Sequence, residues 1–319
     1  MAPPRNHDVR MRGFQHRAEV AEALQLIDSR VQALHVEYVD LRDAAGRVLA
    51  EDVVAPCEVP GFDRAAMDGF ALRAEETFGA DGYTPLEFAR VGESLPGRPF
   101  VGVVQTGQAV RIMTGAPLPA GADAVVQAEA AQEIGKVVRV MEPVSPGRHV
   151  GRRGEDIQSG VVLLRSGRRL RPQDVAVLAS VGASPVPVVR QPRVAILVTG
   201  DELLPCGAKP TGYQIVDSNS VMLAALAKRD GAGAVRVQKV ADRYDLVRNA
   251  VAEADEDVLL VSGGSSVGVE DHAPRVLAEL GELTLHGVAL RPASPTGLGF
   301  LSGRPVLLMP GNPVSCLCA

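Results

Sequence analysis

From residue 190 onward, continuous apolar runs alternate with stretches at helical spacing, and this alternation narrows the choice of fold more than any other feature. Val194-Ala195-Ile196-Leu197-Val198 carries no polar residue, as a strand buried on both faces requires. The spacing then predicts a helix at 218–230, a strand at 234–240 and a helix at 243–254. Next come the strand Asp257-Val258-Leu259-Leu260-Val261, a helix at 272–280, and strands at 283–290 and 305–309. Strands and helices in this order build a parallel, doubly wound sheet.

The upstream sequence has another texture. Residues 14–35 predict a helix in which Val20, Leu24, Ile27 and Val31 form one apolar stripe. From about 55 to 155, short β-like runs at 86–89, 109–113, 124–126 and 136–140 are separated by Pro and Gly, the pattern of a β-rich domain. Residues 160–190 add a further β run and a helix at 172–181. A chain of 319 residues is too long for one ordinary core, so two or three domains are expected. With no Trp and 3% aromatic residues, their cores must be built from Val, Leu, Ile and Ala.

Charge and composition exclude several classes. A net charge of −5 argues against a broad nucleic-acid-binding face, while leaving room for a local anion pocket. No apolar run reaches the length of a membrane span, and the first residues hold no apolar stretch of signal-peptide type, so a cytoplasmic protein is expected. Cys57, Cys206, Cys316 and Cys318 form no Cys-x-x-Cys pair, which speaks against a zinc or redox site and for reduced thiols.

Ligands of doubly wound sheets bind beyond the carboxyl ends of the strands. Here those ends lead into Thr199-Gly200-Asp201-Glu202, Ser262-Gly263-Gly264-Ser265-Ser266-Val267-Gly268 with Asp271 beyond, and Pro310-Gly311-Asn312-Pro313-Val314-Ser315. Glycines let the backbone approach a ligand, and amides at a helix start favour anions. Neither Gly-x-Gly-x-x-Gly nor a Gly-x-x-x-x-Gly-Lys-Ser/Thr loop occurs, which demotes the usual dinucleotide and nucleoside-triphosphatase readings. Glu202, Asp217 and Asp271 are candidate Mg²⁺ ligands beside a phosphate-bearing substrate. Asp217-Ser218-Asn219 reads equally as a helix cap. Farther upstream, the residues 61–71 and 111–119 read as loops beside β-structure. Gly151-Arg152-Arg153-Gly154-Glu155-Asp156 is either an anion-contacting loop or a solvated charge cluster.

These stretches, taken in order, resemble the molybdopterin molybdotransferases, the family of the bacterial MoeA proteins and the E domain of gephyrin. The resemblance rests on Pro60-Gly61-Phe62-Asp63 with Ala66-Met67-Asp68-Gly69, Arg111-Ile112-Met113-Thr114-Gly115-Ala116-Pro117 and Arg153-Gly154-Glu155-Asp156-Ile157. It continues through Thr199-Gly200-Asp201-Glu202-Leu203, Asp217-Ser218-Asn219, Ser262-Gly263-Gly264 with Val267-Gly268 and Asp271, and the Pro310-to-Ser315 stretch.

The resemblance implies an α/β multi-domain protein with a doubly wound parallel-sheet domain of molybdopterin-adenylyltransferase type, a β-rich inserted domain and a small linking domain. In these terms, 14–35 and 183–319 form the α/β cofactor-binding domain, 36–54 and 157–182 the linking domain, and 55–156 the insert. The implied reaction takes adenylylated molybdopterin and molybdate to the molybdenum cofactor and AMP, aided by Mg²⁺. It also implies a homodimer with a shared cleft, and a molybdopterin adenylyltransferase as upstream donor. Asp68, Thr114, Asp156, Glu202 and Asp271 match its catalytic positions, with Glu202 and Asp271 as metal ligands. Asp217, Ser218, Asn219, Ser262, Gly263, Gly264, Arg291, Ser294, Pro310, Gly311, Asn312 and Ser315 match its cofactor-binding positions.

Two departures stand out. Ser294 stands where the family usually carries a second lysine after the one matched by Arg291, which removes a cation from the expected anion pocket. The sequence stops at Ala319, where the family continues into a C-terminal β-domain, so a helix from Pro313 is expected to have barely begun and to lack a working dipole. Rival functions are a non-catalytic molybdopterin-nucleotide carrier or scaffold, and a molybdopterin adenylyltransferase; the 55–155 insert speaks against the latter.

Overall fold

Alternate residues of the strand Arg193–Thr199 pack into different cores, and this places helices on both faces of its sheet. Ala195 and Leu197 meet Val247, Val251, Val276 and Leu277 from the helices Tyr244–Glu253 and Ala273–Leu280. Ile196 and Val198 meet Leu223 and Cys316 from the helices Asn219–Asp230 and Pro313–Cys318. A strand apolar at every position is thereby satisfied on both sides. The computed structural model describes residues 17–264 and 271–319. Within it, Val188–Ala319 and the described part of Met1–Glu37 form one unit, and Tyr38–Pro187 a second.

The first unit holds a six-stranded sheet in the order Ala234–Val240, Arg193–Thr199, Val258–Ser262, Arg304–Met309, Gly297–Leu301 and Glu282–His286. The first four run parallel, as the alternation predicts. Gly297–Leu301 was not anticipated, and it runs antiparallel to both neighbours, so the sheet is mixed rather than all-parallel. Its glycines make the run read as a turn, yet they serve close packing. A Cβ on Gly299 would lie 2.1 Å from the Glu282 carbonyl oxygen, and one on Gly297 would lie 3.0 Å from the Leu308 side chain. The last strand is also shorter than the expected 283–290, because residues 287–296 leave the sheet as a loop.

Helix Asn219–Asp230 ends at Gly231 with φ 110°, a left-handed stop that glycine accepts without strain. The helix that starts at Pro313 spans six residues, Pro313–Cys318, the short beginning that was expected. Asn312 accepts from the amides of Val314 and Ser315, and Cys316 buries its side chain against the sheet. Near the other end of the sequence the helix spans Val20–Arg30, shorter than the expected 14–35. Ala18 bridges Val288, and Arg30 bonds Glu282 while its guanidinium lies 4.4 Å from the Phe300 ring centroid. The apolar stripe is present but faces outward: Leu24 is 56% exposed.

In the second unit the sheet order is Ala124–Gln127, Gly69–Leu72, Gln108–Ile112, Leu86–Ser94, Val137–Val140 and Ala131–Ile134. Gly69–Leu72 is a strand buried at every position, where the sequence suggested a loop beside β-structure. It is paired on both sides, and a Cβ at Gly69 would lie 1.9 Å from the Val126 carbonyl oxygen. Phe70 and Leu72 pack into one core, with Phe88 and Val138, while Ala71 faces another with Ile112 and Val125. Helix Pro172–Ser180 is anchored by Asp174, whose carboxylate accepts from Arg168 and Arg171. None of the described helices is long and apolar enough to cross a membrane.

Candidate functional site

Because the strands Arg193–Thr199, Val258–Ser262 and Arg304–Met309 are parallel neighbours, the loops after them emerge on one edge of the sheet. The loops interlock. A Cβ on Gly263 would sit 2.2 Å from the Thr199 carbonyl oxygen, and one on Gly311 would sit 4.0 Å from Gly263 Cα. Gly263 and Gly264 have φ of 88° and 54°, so these positions need glycine both for conformation and for space. Asn219 Nδ2 donates to Ser262 Oγ at 3.0 Å and to the Gly311 carbonyl at 2.8 Å, with Pro310 O at 3.4 Å. A single buried amide therefore ties the second loop to the third.

The remaining expected residues of this edge take mixed roles. Asp217 caps the helix, accepting from the Ser220 amide and hydroxyl. Ser218 holds the cap position through its carbonyl, which accepts from Met222. Asn312 Oδ1 accepts from the Ser315 amide and hydroxyl, so those two side chains serve each other. Cys316 lies beneath, in contact with Ser262; burial pushes its thiol up to about 11. Residues 287–296 reach the same edge because Gly297–Leu301 begins opposite Leu308, near the carboxyl end of its neighbour. On that loop Arg291 is exposed, whereas the Ser294 hydroxyl donates to the Leu290 carbonyl.

The acids are less gathered than the sequence implied. Glu202 folds back over Gly200, where a Cβ would lie 2.8 Å from its carboxylate, and its carbonyl accepts from Ile215. Asp271 immediately precedes His272, the cap position of the helix Ala273–Leu280. Residues 265–270, which carry the Ser265-Ser266-Val267-Gly268 part of the expected loop, lie outside the described residues. Among those described, no group of three or more His, Cys, Asp or Glu side chains is arranged to hold a metal ion. The oxygen-only donors on this edge nonetheless suit Mg²⁺, which is commonly held by one or two carboxylates together with substrate phosphates and water.

Asp242 and His272 on this edge escaped sequence reasoning, whereas Thr199 was read in the first strand-end loop. Thr199, Asp242 and His272 surround Gly264: a Cβ there would lie 3.0 Å from Thr199 Oγ1, 3.7 Å from Asp242 Oδ1 and 3.7 Å from the His272 backbone nitrogen. Asp242 follows the strand Ala234–Val240, and its amide donates to Asp201. The same rule of strand ends that located the other loops applies to it, since this strand is parallel to Arg193–Thr199.

In the second unit the three upstream motifs converge on the short strand Arg64–Ala65. That strand pairs with Val150–Gly151 and bridges Pro117, and the amides of Ala65 and Gly115 exchange bonds with the carbonyls of Ala116 and Ala65. Asp68 Oδ1 accepts from both the amide and the hydroxyl of Thr114 at 2.7 Å, which holds the Asp68 carboxyl below its ordinary range. Asp156 lies 3.4 Å from the Arg64 guanidinium, which also meets Glu155. Neighbouring pairs join Arg152 to Asp63 and Arg153 to Glu58. The 151–156 segment is thus a structured ion-pair network; Asp68 and Thr114 are paired with each other, and Asp156 meets Arg64 of the strand on which the motifs converge.

Fold and loops together define an α/β protein whose strand-end loops interlock on one edge of a sheet with four parallel strands. Residues 18–182 match the MoeA N-terminal region (domain I and II), and residues 195–319 match a probable molybdopterin binding domain. A molybdopterin molybdenumtransferase 2 of Mycobacterium tuberculosis is 37% identical, over 93% of this chain and 76% of the relative. A molybdopterin molybdenumtransferase of Staphylococcus aureus is 36% identical, over 93% and 72% respectively. The crystal structure of a molybdopterin biosynthesis MoeA protein from Pyrococcus horikoshii superposes with a TM-score of 0.81 at 35% identity, covering 95% of this chain and 76% of that one. The chain belongs to the MoeA family of molybdopterin molybdenumtransferases.

Proposed function

We propose that this protein inserts molybdate into adenylylated molybdopterin with release of AMP, as a cytoplasmic step of molybdenum-cofactor biosynthesis. The observation that carries the reading is the interlocked edge of Thr199, Gly263 and Gly311, glycine-built and tied by Asn219, in a chain of this family. Backbone amides of the Gly263 and Gly311 loops would take the charge on the departing AMP. Arg291 would contribute its cation to the anion pocket; Ser294, occupied by the Leu290 carbonyl, adds none. Glu202 and Asp271 would hold Mg²⁺ with the substrate's pyrophosphate. Bound there, the metal would neutralise charge developing on the phosphate oxygens.

Asp68, Thr114 and Asp156 belong to the same proposal, as groups that complete the site of a second copy in a homodimer. The outward apolar stripe of Val20, Leu24 and Val31 supports such an assembly, because exposed apolar side chains in a row gain by being covered. A separate linking part, 36–54 with 157–182, carrying the β-rich insert 55–156, and an upstream molybdopterin adenylyltransferase as donor, complete the reading.

The test is AMP release from adenylylated molybdopterin with Mg²⁺, with and without molybdate. Molybdate-dependent release is expected, falling by at least about tenfold in Asp68→Ala if a misplaced group slows the step. Tight binding of the substrate without AMP release would replace the transferase with a carrier.

A further inference from the structure

Asn219 is the first residue of its helix, yet its side chain bonds to groups outside that helix. Its own helix is capped by Asp217, and Asn219 makes no cap bond. The carboxamide instead reaches Ser262, at the end of one strand, and Gly311, after the end of the next. Its orientation is dictated by its partners. The Pro310 and Gly311 carbonyls can only accept, so the NH₂ end must face them. Its two hydrogens are committed to Gly311 and Ser262, the shorter contacts, and the residue is 7% exposed. Asn219 Oδ1 is buried without a hydrogen-bond partner, a cost the fold accepts to keep the donor end in place.

We propose that Asn219 is a positioning residue: it sets the register of the Gly263–Gly264 loop against the Pro310–Gly311 loop, and it acts on the reaction without touching the substrate. This departs from the cofactor-contact role implied by family resemblance, and it rests on the transferase reading of the same edge. With both hydrogens committed and the side chain enclosed, no donor is left for a ligand. The loops it joins come from adjacent parallel strands whose backbone ladder ends at Ser262↔Met309. Beyond that pair, the Asn219 amide is the described side-chain bridge between them, and Gly263 and Gly311 lie in near contact. A loop displacement on the order of 1 Å costs up to about 100-fold in rate when groups must be aligned.

The experiment compares wild type, Asn219→Asp and Ser262→Ala by hydrogen exchange of the loop amides and by AMP release from adenylylated molybdopterin. Asn219→Asp keeps the shape but sets an acceptor against two carbonyls. Faster exchange is expected at 262–264 and at 311–312 together, with kcat lowered about 10- to 100-fold and KM changed less than about threefold. Ser262→Ala, the milder variant, is expected to loosen 262–264 and leave 311–312 as in wild type. A large rise in KM with kcat retained would make Asn219 a substrate contact and overturn the proposal. Unchanged exchange at both loops in folded Asn219→Asp would overturn it as well. If wild type releases no AMP, the transferase reading fails, while the exchange pattern still decides whether the clamp exists.

Discussion

At the scale of single residues, two carboxylates carry opposite lessons about burial. Asp68 is exposed and is held low by the Thr114 hydroxyl and amide. Thr114→Val removes the hydroxyl, so the Asp68 pKa is expected to rise toward its ordinary 3.8, as carboxyl-carbon NMR titration would record. Asp257 is partly buried. Burial alone would push its pKa up, but bonds from Arg190 and the Arg193 amide outweigh it and leave the carboxyl lowered. A lowered carboxyl stabilises the fold above its ordinary 3.8, and the contribution is lost as pH falls through the folded-state value. Asp257→Asn is therefore expected to cost about 1–3 kcal/mol at neutral pH and progressively less below that range, measured by urea unfolding across the pH series. Asp68 and Thr114 were legible in the sequence only through the ordered resemblance, since two polar residues 46 apart carry no periodic signal of their pairing. Asn219 was legible as a motif member, but its partners were not, because Ser262 and Gly311 meet it only once the strands are adjacent.

At the scale of elements, the period of the sequence located most strands and helices of the α/β unit, because burial on both faces writes a continuous apolar run that is hard to mistake. Arg193–Thr199 and Val258–Ser262 are such cases. Gly297–Leu301 and Gly69–Leu72 were missed for one physical reason. Their glycines answer to backbone atoms on neighbouring strands, and sequence reasoning takes a glycine as a break. Gly299→Ala tests this directly. Its Cβ would lie 2.1 Å from the Glu282 carbonyl and 2.7 Å from the Leu277 side chain, and no rotamer change relieves the first, because it is backbone. The expected loss is about 1–3 kcal/mol, read as a lower denaturation midpoint, with the slope unchanged. A neutral Gly299→Ala would mean that Gly297–Leu301 is not held between its two neighbours. The helix Val20–Arg30 shows the converse limit, since its apolar stripe was legible in the sequence while the outward direction of Val20, Leu24 and Val31 was not.

At the scale of the whole molecule, the chain crosses between its two units twice, and the crossings are unequal in consequence. Tyr38–Pro187 is continuous in sequence, with its own six-stranded sheet and its own cores, so its contacts close within one stretch of chain. The other unit draws on both ends. Ala18 bridges Val288, Arg30 bonds Glu282, and the Arg190 amide donates to the His35 carbonyl. A continuous segment that buries its own apolar faces should fold when excised, whereas a unit stitched from two distant stretches loses edge contacts when one is removed. A fragment of residues 36–189, which retains the strands Val36–Val39, Val48–Leu49 and Val186–Val189 of one small sheet, is expected to unfold in a single cooperative transition. A fragment of residues 188–319 should unfold at lower denaturant than the same unit in the full chain. It lacks the charged and stacking contacts of Arg30 to Glu282 and Phe300. Adding residues 17–37 as a separate peptide should recover part of the difference. If instead the 36–189 fragment shows no cooperative transition, its cores depend on the rest of the chain. The two units would then be a single folding unit, despite the separation of their contacts.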